Sequence, residues 1–251
     1  MKTHYEISGS GPAVLFAHSL GSDHSIWDAQ KSALAGRHTV IAYDIRGHGK
    51  TPATPGAYDF DLLADDALAL MDALRIARAS FVGISLGGMI GQALALKAPR
   101  RLEKLVLADT TAAYPPEARA SWPERIRQIE ASGLEPLVQP TLERWFTAAF
   151  RAAQPEVVAR IGELIRRTPP AGYVGCCHAI AALDFAARLK EIATPTLVLV
   201  GEQDAGTPPA MAEALAAGIP GARCVVINNA AHLANIEQAE AFNRLLLDFL
   251  G

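Results

Sequence analysis

The stretch best suited to chemistry is Gly83-Ile84-Ser85-Leu86-Gly87-Gly88, which sets a hydroxyl between two glycines. It follows the β-prone run Ser80-Phe81-Val82 and opens a helical pattern over Met89–Ala98. A serine on so sharp a strand-to-helix turn is held in a strained backbone conformation, and its neighbours two residues away must have almost no side chain. Strain of that kind costs about 1–3 kcal/mol and persists where something is gained from it. The bland alternative is a glycine-rich turn with an N-capping serine, but the strand before and the helix after favour a nucleophile. A serine hydroxyl is weak without a base. With a nucleophile on such a turn, chain order runs Ser, then acid, then His.

Of seven histidines, His178 and His232 lie well downstream of Ser85. His232 follows the last predicted strand, where a loop can swing its ring to the carboxyl edge of a sheet. His178 falls in a helical stretch and is expected to pack or face solvent. Beyond Leu197-Val198-Leu199-Val200 come Glu202 and Asp204. Asp204, three residues past the strand, is the predicted acid that would orient the imidazole and stabilise its charged form. Glu202 reads as a solvated loop charge, and Asp109, after the preceding strand, competes for the role of acid. An oxyanion needs two N–H donors, each worth about 2.7–4 kcal/mol to a transition state. The Leu86 N–H, at a helix start, is one, and the Leu20 N–H in His18-Ser19-Leu20-Gly21 is the other. His18 is expected to make a structural hydrogen bond. Asp44-Ile45-Arg46-Gly47-His48-Gly49 is explained by tight-turn structure.

These groups need a frame. Near-continuous apolar runs predict strands at Ala13–Ala17, Thr39–Tyr43, Ala79–Ile84, Leu102–Ala108, Thr196–Gly201 and Arg223–Asn228, covered on both faces. Thr3–Ser8 is half polar, and a hairpin through Gly9-Ser10-Gly11-Pro12 is expected to make it antiparallel. Phe60–Arg75 has helical spacing, with Asp61, Asp65, Asp66 and Asp72 as an expected solvated face. Ala239–Leu250 is a further helix. Strand and helix in alternation imply a doubly wound α/β sheet. Thr110 to about Ile192 breaks this pattern, with helical spacing divided by prolines. The expected organisation is a core over 1–110 and 193–251 with a helical cap over 111–192, above the strands' carboxyl ends where such sheets bind ligands.

Composition limits the partners. The 251 residues are half apolar, with net charge −3 and no basic run, which gives nucleic acid or membrane surfaces no electrostatic purchase. No signal-peptide core and no apolar run long enough to span a membrane stands in the sequence, so a cytoplasmic enzyme is expected. Cys176, Cys177 and Cys224 suit neither zinc nor a disulfide framework and read as buried hydrophobes. No metal-ligand spacing, dinucleotide fingerprint or phosphate loop appears, so no cofactor or metal is expected. The sequence leaves the oligomeric state open.

The whole chain resembles the 3-oxoadipate enol-lactonases of the α/β-hydrolase superfamily. The elbow, the Asp44–Gly49 turn, Asp204 and His232 are shared across the superfamily. More specific are Ser19-Leu20-Gly21-Ser22-Asp23 with Trp27, Arg144-Trp145-Phe146-Thr147, and Gly172-Tyr173-Val174-Gly175-Cys176-Cys177-His178-Ala179-Ile180. Thr207-Pro208-Pro209 and Ala231-His232-Leu233-Ala234-Asn235-Ile236-Glu237-Gln238 complete it. His18-Ser19 stands where most relatives have His-Gly, and two departures stand out: a start at the family's second strand, which implies seven strands, and several insertion residues that differ from a typical member. The resemblance implies cofactor-free opening of 3-oxoadipate enol-lactone in bacterial aromatic degradation. That substrate carries a carboxylate, which a pocket must meet with a cation or several donors. Arg144 is the candidate, assisted by Trp122 and Trp145. A general carboxylesterase or perhydrolase with the same triad is the alternative, and a ligand-binding receptor on this fold is a second. An aspartate nucleophile, as dehalogenases and epoxide hydrolases need, is excluded by Ser85.

Overall fold

The computed structural model describes residues 2–251. Seven strands make one sheet: β1 (Tyr5–Gly9), β2 (Ala13–Ala17), β3 (Thr39–Tyr43), β4 (Ala79–Ile84), β5 (Leu102–Ala108), β6 (Thr196–Gly201) and β7 (Arg223–Ile227). Their spatial order is β1-β3-β2-β4-β5-β6-β7, parallel throughout except between β1 and β3. The central strands are apolar at successive residues because helices cover both faces; β4 and β6 are buried along their whole length.

The expected hairpin is not formed. β2 has both edges taken by parallel neighbours, β3 and β4, so it has none left for β1. Gly9 and Gly11 instead carry the chain past the backbone of Ala35, Arg37 and His38 at positive φ, where a Cβ would meet carbonyl oxygens at 2.3 Å. This close approach lets β1 pair with β3, Tyr5 opposite Tyr43.

The crossover helices are α1 (Asp28–Leu34), α2 (Phe60–Ala73), α3 (Leu86–Lys97) and α10 (Pro209–Gly218), and the chain closes with α11 (Ala234–Glu237) and α12 (Ala239–Leu250). α1 packs on α12, and α2 on α3. α2 starts where the Asp59 carboxylate accepts the Leu62 N–H at 2.7 Å, and it buries Leu63, Ala67, Leu70 and Met71. Its acidic face is exposed as expected at Asp61, Asp65 and Asp72, and Asp66 is the exception. Asp66 takes a two-pronged hydrogen bond from Arg46, and Asp65 and Asp72 pair with Lys97 and Arg101. The Arg46 bond ties the turn after β3 to α2, a structural use of the Asp44–Gly49 turn.

Between β5 and β6 lie six α-helices, α4 (Pro116–Arg119), α5 (Ser121–Ser132), α6 (Glu135–Trp145), α7 (Ala148–Ala153), α8 (Pro155–Arg167) and α9 (Pro170–Ala181), and a 3-10 turn over Ala186–Glu191. A single bridge between Ala113 and Asp184 joins the two ends of this excursion. No helix among the described residues is long and apolar enough to cross a membrane.

One polar cluster near β1 makes stability depend on pH. His24 donates from Nδ1 to Asp44 Oδ1 at 2.7 Å, and its Nε2 lies 3.1 Å from Glu6 Oε1. The Asp44 hydrogen bond raises the His24 pKa above the ordinary value, against the opposing effect of burial. A raised pKa means a contribution fully present below the unfolded value of about 6.5 and lost as pH rises through the folded value. The melting temperature of wild type minus that of His24→Leu should therefore shrink as pH goes from 6 to 9. A difference constant over that range would show that the ring does not hold a proton.

Candidate functional site

The turn between β4 and α3 holds Ser85 at φ 55°, ψ −117°, a region that side-chain-bearing residues rarely adopt. What holds it there is packing on all sides. A Cβ on Gly83 would meet Gly87 O at 2.1 Å, one on Gly87 would meet Ala17 O at 2.1 Å, and one on Gly88 would meet the Thr110 side chain at 2.6 Å. Ser85 N–H donates to Ala108 O, and the Thr110 hydroxyl donates to Ser85 O. The serine is thus locked to β5 while its own hydroxyl is left free to point out of the turn.

That hydroxyl lies 2.9 Å from His232 Nε2, and His232 Nδ1 lies 2.8 Å from Asp204 Oδ2. Nδ1 faces a carboxylate and so carries the proton, which leaves the Nε2 lone pair to accept from the serine. Asp204 is buried, and burial alone would raise its pKa. The His232 charge and hydrogen bond and the Thr207 donors outweigh this and hold it below the ordinary value. Its Oδ1 accepts the Gly206 and Thr207 N–H groups at 2.8 and 3.0 Å, and its Oδ2 accepts the Thr207 hydroxyl at 2.7 Å. The turn after Asp204 therefore serves to ionise and orient one carboxylate.

Asp109 takes no part in this chain of contacts. It is fully buried, and its Oδ1 accepts the Gly201 N–H at 2.8 Å. Burial, with the neighbouring Asp204 charge, raises its pKa well above the ordinary carboxylate value. Glu202 is exposed and accepts the Asn229 N–H, and His178 is exposed on α9.

Leu86 N–H and Leu20 N–H have no acceptor among the described residues. The geometry of the second follows from His18. Ile45 N–H donates to His18 Nε2 at 2.9 Å, so Nδ1 holds the proton and donates to Ser19 O at 2.8 Å. Ser22 Oγ donates to the same carbonyl. In a trans peptide the C=O and the next N–H point opposite ways, so anchoring Ser19 O turns the Leu20 N–H away from His18. Burial lowers the His18 pKa and keeps the ring neutral, as this role requires.

Above these groups opens a cavity of about 250 Å³ lined by Leu20, Ser85, His232, Arg125, Arg144 and Trp145, among others. This is below the roughly 300–1,000 Å³ of sites for drug-sized ligands, which suits a small substrate. Residues of α4, α5, α6 and α9 form its walls and roof. A model of the α/β-hydrolase fold matches residues 12–239.

The chain belongs to the α/β-hydrolase fold family.

Within that family this hydrolase is 38% identical to 3-oxoadipate enol-lactonase 2 of Acinetobacter baylyi over 232 residues, 92% of this chain and 86% of that one. It is 31% identical over 255 residues to a Stutzerimonas stutzeri protein provisionally named carbamate hydrolase RutD, covering 99% of this chain and 96% of the other. The solved enol-lactonase from Burkholderia xenovorans LB400 superposes with a TM-score of 0.95 at 39% identity, over 99% of this chain and 96% of that one.

All three substrate-binding candidates, Arg144, Trp145 and Trp122, line the hydrolase's cavity. The Trp145 ring stacks on the His232 ring at a centroid distance of 6.1 Å. Arg144 is exposed along part of its length, yet desolvation and the facing Arg125 charge lower its pKa. Among the lining residues, Tyr114 and Arg125 escaped the sequence reading, and Tyr173 entered it only within the Gly172–Ile180 stretch, with no binding role. The Arg125 guanidinium lies over the Trp122 and Tyr173 rings at 5.4 and 5.8 Å and donates to the Tyr173 hydroxyl at 3.0 Å. Its signal was the spacing from Trp122 to Arg125, which puts an aromatic and a cation on one helix face. Away from the cavity, His4, His24 and Asp44 bring potential metal-ligand atoms within 4.8 Å of one another. Asp44 already accepts three hydrogen bonds there, from His24 N, His24 Nδ1 and Lys50 N, while the buried His4 Nε2 has no hydrogen-bond partner among the described residues.

Proposed function

We propose that this hydrolase opens a small lactone bearing a carboxylate, 3-oxoadipate enol-lactone, to 3-oxoadipate through an acyl-enzyme on Ser85. The carrying observation is that the cavity holding Ser85 also holds two guanidiniums, Arg125 and Arg144, with no carboxylate partner among the described residues. Two unpaired cations in a partly desolvated pocket call for an anionic ligand. The likeness to enol-lactonases supports the same substrate.

In this reading Ser85 Oγ attacks the lactone carbonyl while His232 Nε2 takes its proton. The oxyanion rests on the Leu20 and Leu86 N–H groups, and Asp204 stabilises the imidazolium. Collapse breaks the ring C–O bond, and the enol oxygen leaves with the proton returned by His232. His232 then draws a proton from water, which attacks the acyl group and frees Ser85. No cofactor enters these steps. Residues 111–192 act as a cap that closes the pocket and supplies its cations, over a core of 1–110 and 193–251. The partner is a small molecule, and the setting is cytoplasmic aromatic catabolism.

The test is specificity. A charge-assisted hydrogen bond contributes about 1.5–3 kcal/mol, and Arg144 is partly exposed, so the lower end applies. Arg144→Ala should raise KM for the lactone about 10-fold and leave KM for p-nitrophenyl acetate within about 2-fold. Equal losses on both would make Arg144 structural and remove the support for an acidic substrate.

A further inference from the structure

Glu237 is buried at 8% exposure, has no ion-pair partner among the described residues, and plays no part in the steps above. A buried carboxylate without a cation must be held by donors, and this one has three. Its Oε2 accepts the Ala231 N–H at 2.5 Å, and its Oε1 accepts the Thr147 N–H at 2.8 Å and the Thr147 hydroxyl at 2.9 Å. The two oxygens thus reach different parts of the molecule. Ala231 immediately precedes His232. Thr147 caps α7, two residues beyond Trp145 and three beyond Arg144. A second link runs in parallel, from Leu233 N–H to Trp145 O at 3.2 Å, and the Trp145 ring stacks on His232.

We propose that Glu237 is a positioning residue that fixes the histidine loop and the α6–α7 corner against one another, so that the base and the substrate-carboxylate pocket are held in one register. Each carboxylate oxygen needs donors on its own side. A glutamine offers one acceptor oxygen and one NH₂, so in either orientation its NH₂ faces an N–H donor. Glu237→Gln keeps size and shape but satisfies one side alone. Thr147→Val cuts only the hydroxyl contact on the corner side, and Thr147→Ser retains it.

The part of this proposal that concerns the carboxylate pocket rests on the enol-lactone reading; the part that concerns His232 does not. The experiment therefore uses both 3-oxoadipate enol-lactone and p-nitrophenyl acetate, with folding checked by circular dichroism. Glu237→Gln should lower kcat on the acetate at least 10-fold, because the base is displaced for any substrate. It should also raise KM for the lactone at least 5-fold, because Arg144 and Trp145 move with the corner. Thr147→Val should raise the ratio of lactone KM to acetate KM about 3-fold or more, and Thr147→Ser should restore that ratio. A melting temperature that falls while every kinetic constant of Glu237→Gln stays within 2-fold would make the residue merely structural and overturn the proposal. If Glu237→Gln does not fold, an unchanged KM ratio in Thr147→Val overturns it instead. If wild type fails to open the lactone, the substrate reading falls, and Glu237 is judged on the acetate kcat alone.

Discussion

Ser85→Ala is expected to lower kcat by about 10⁶ on any substrate of this hydrolase while leaving the protein folded. The magnitude is that of removing the nucleophile from a triad acting as a unit, where most of the cooperative advantage goes at once. The folding half follows from the turn itself. Alanine inherits the backbone at φ 55° that the Gly83, Gly87 and Gly88 contacts impose. The contacts that lock the turn run through the Ser85 main chain, N–H to Ala108 and C=O to Thr110. The bond lost is the single one from the hydroxyl to His232. Melting within about 2 °C of wild type together with near-complete loss of turnover is the expected pair of results. Turnover above about one per cent of wild type in a purified variant would remove Ser85 from the mechanism.

The second large effect separates two buried aspartates. Asp204→Asn should lower kcat by about 10⁴, because an amide at the Asp204 position favours the wrong imidazole tautomer and cannot stabilise its charge. Asp109→Asn should change kcat by less than about 3-fold. Burial and the Asp204 charge raise the Asp109 pKa well above the ordinary value, which favours the neutral acid over the carboxylate, and asparagine is a neutral group of the same shape. The sign for stability follows. An acid whose folded pKa lies above its unfolded value binds more protons when folded, so its contribution declines as pH rises from about 3.8 through the folded value. Asp109→Asn should therefore melt at a higher temperature relative to wild type at pH 8 than at pH 5. Severe loss of activity in Asp109→Asn with a mild effect in Asp204→Asn would exchange their roles.

How much of this was legible in the chain depended on whether the signal was local. β2 through β6 follow their apolar runs to the residue, because strands buried on both faces need no alternation to be seen. α3 begins at Leu86, three residues ahead of its apolar pattern, because Gly87 and Gly88 dilute the helical signal while serving the close packing of the turn. The partner of β1 was not legible. Nothing within Thr3–Ser8 reports that both edges of β2 are already taken. In the site, residues with short-range signatures stood out: Ser85 between glycines, Asp204 past its strand, His232 past the last one. Arg125 and Glu237 did not: Arg125 lies three residues from Trp122 on a charged helix, Glu237 enters only within the Ala231–Gln238 stretch, and neither local context names the group it meets. Their burial comes from elements distant in sequence, Tyr173 for one and Thr147 for the other.

The measurement that bears most directly on the central claim is kcat/KM for 3-oxoadipate enol-lactone beside p-nitrophenyl acetate, with Ser85→Ala as the blank. The predicted result is about 10⁶ M⁻¹s⁻¹ or more for the lactone, in the upper range for enzymes, with the acetate far below it. Hydrolysis of the acetate with no detectable opening of the lactone would contradict the claim. A serine hydrolase would remain, with a different ester or a carbamate as its substrate.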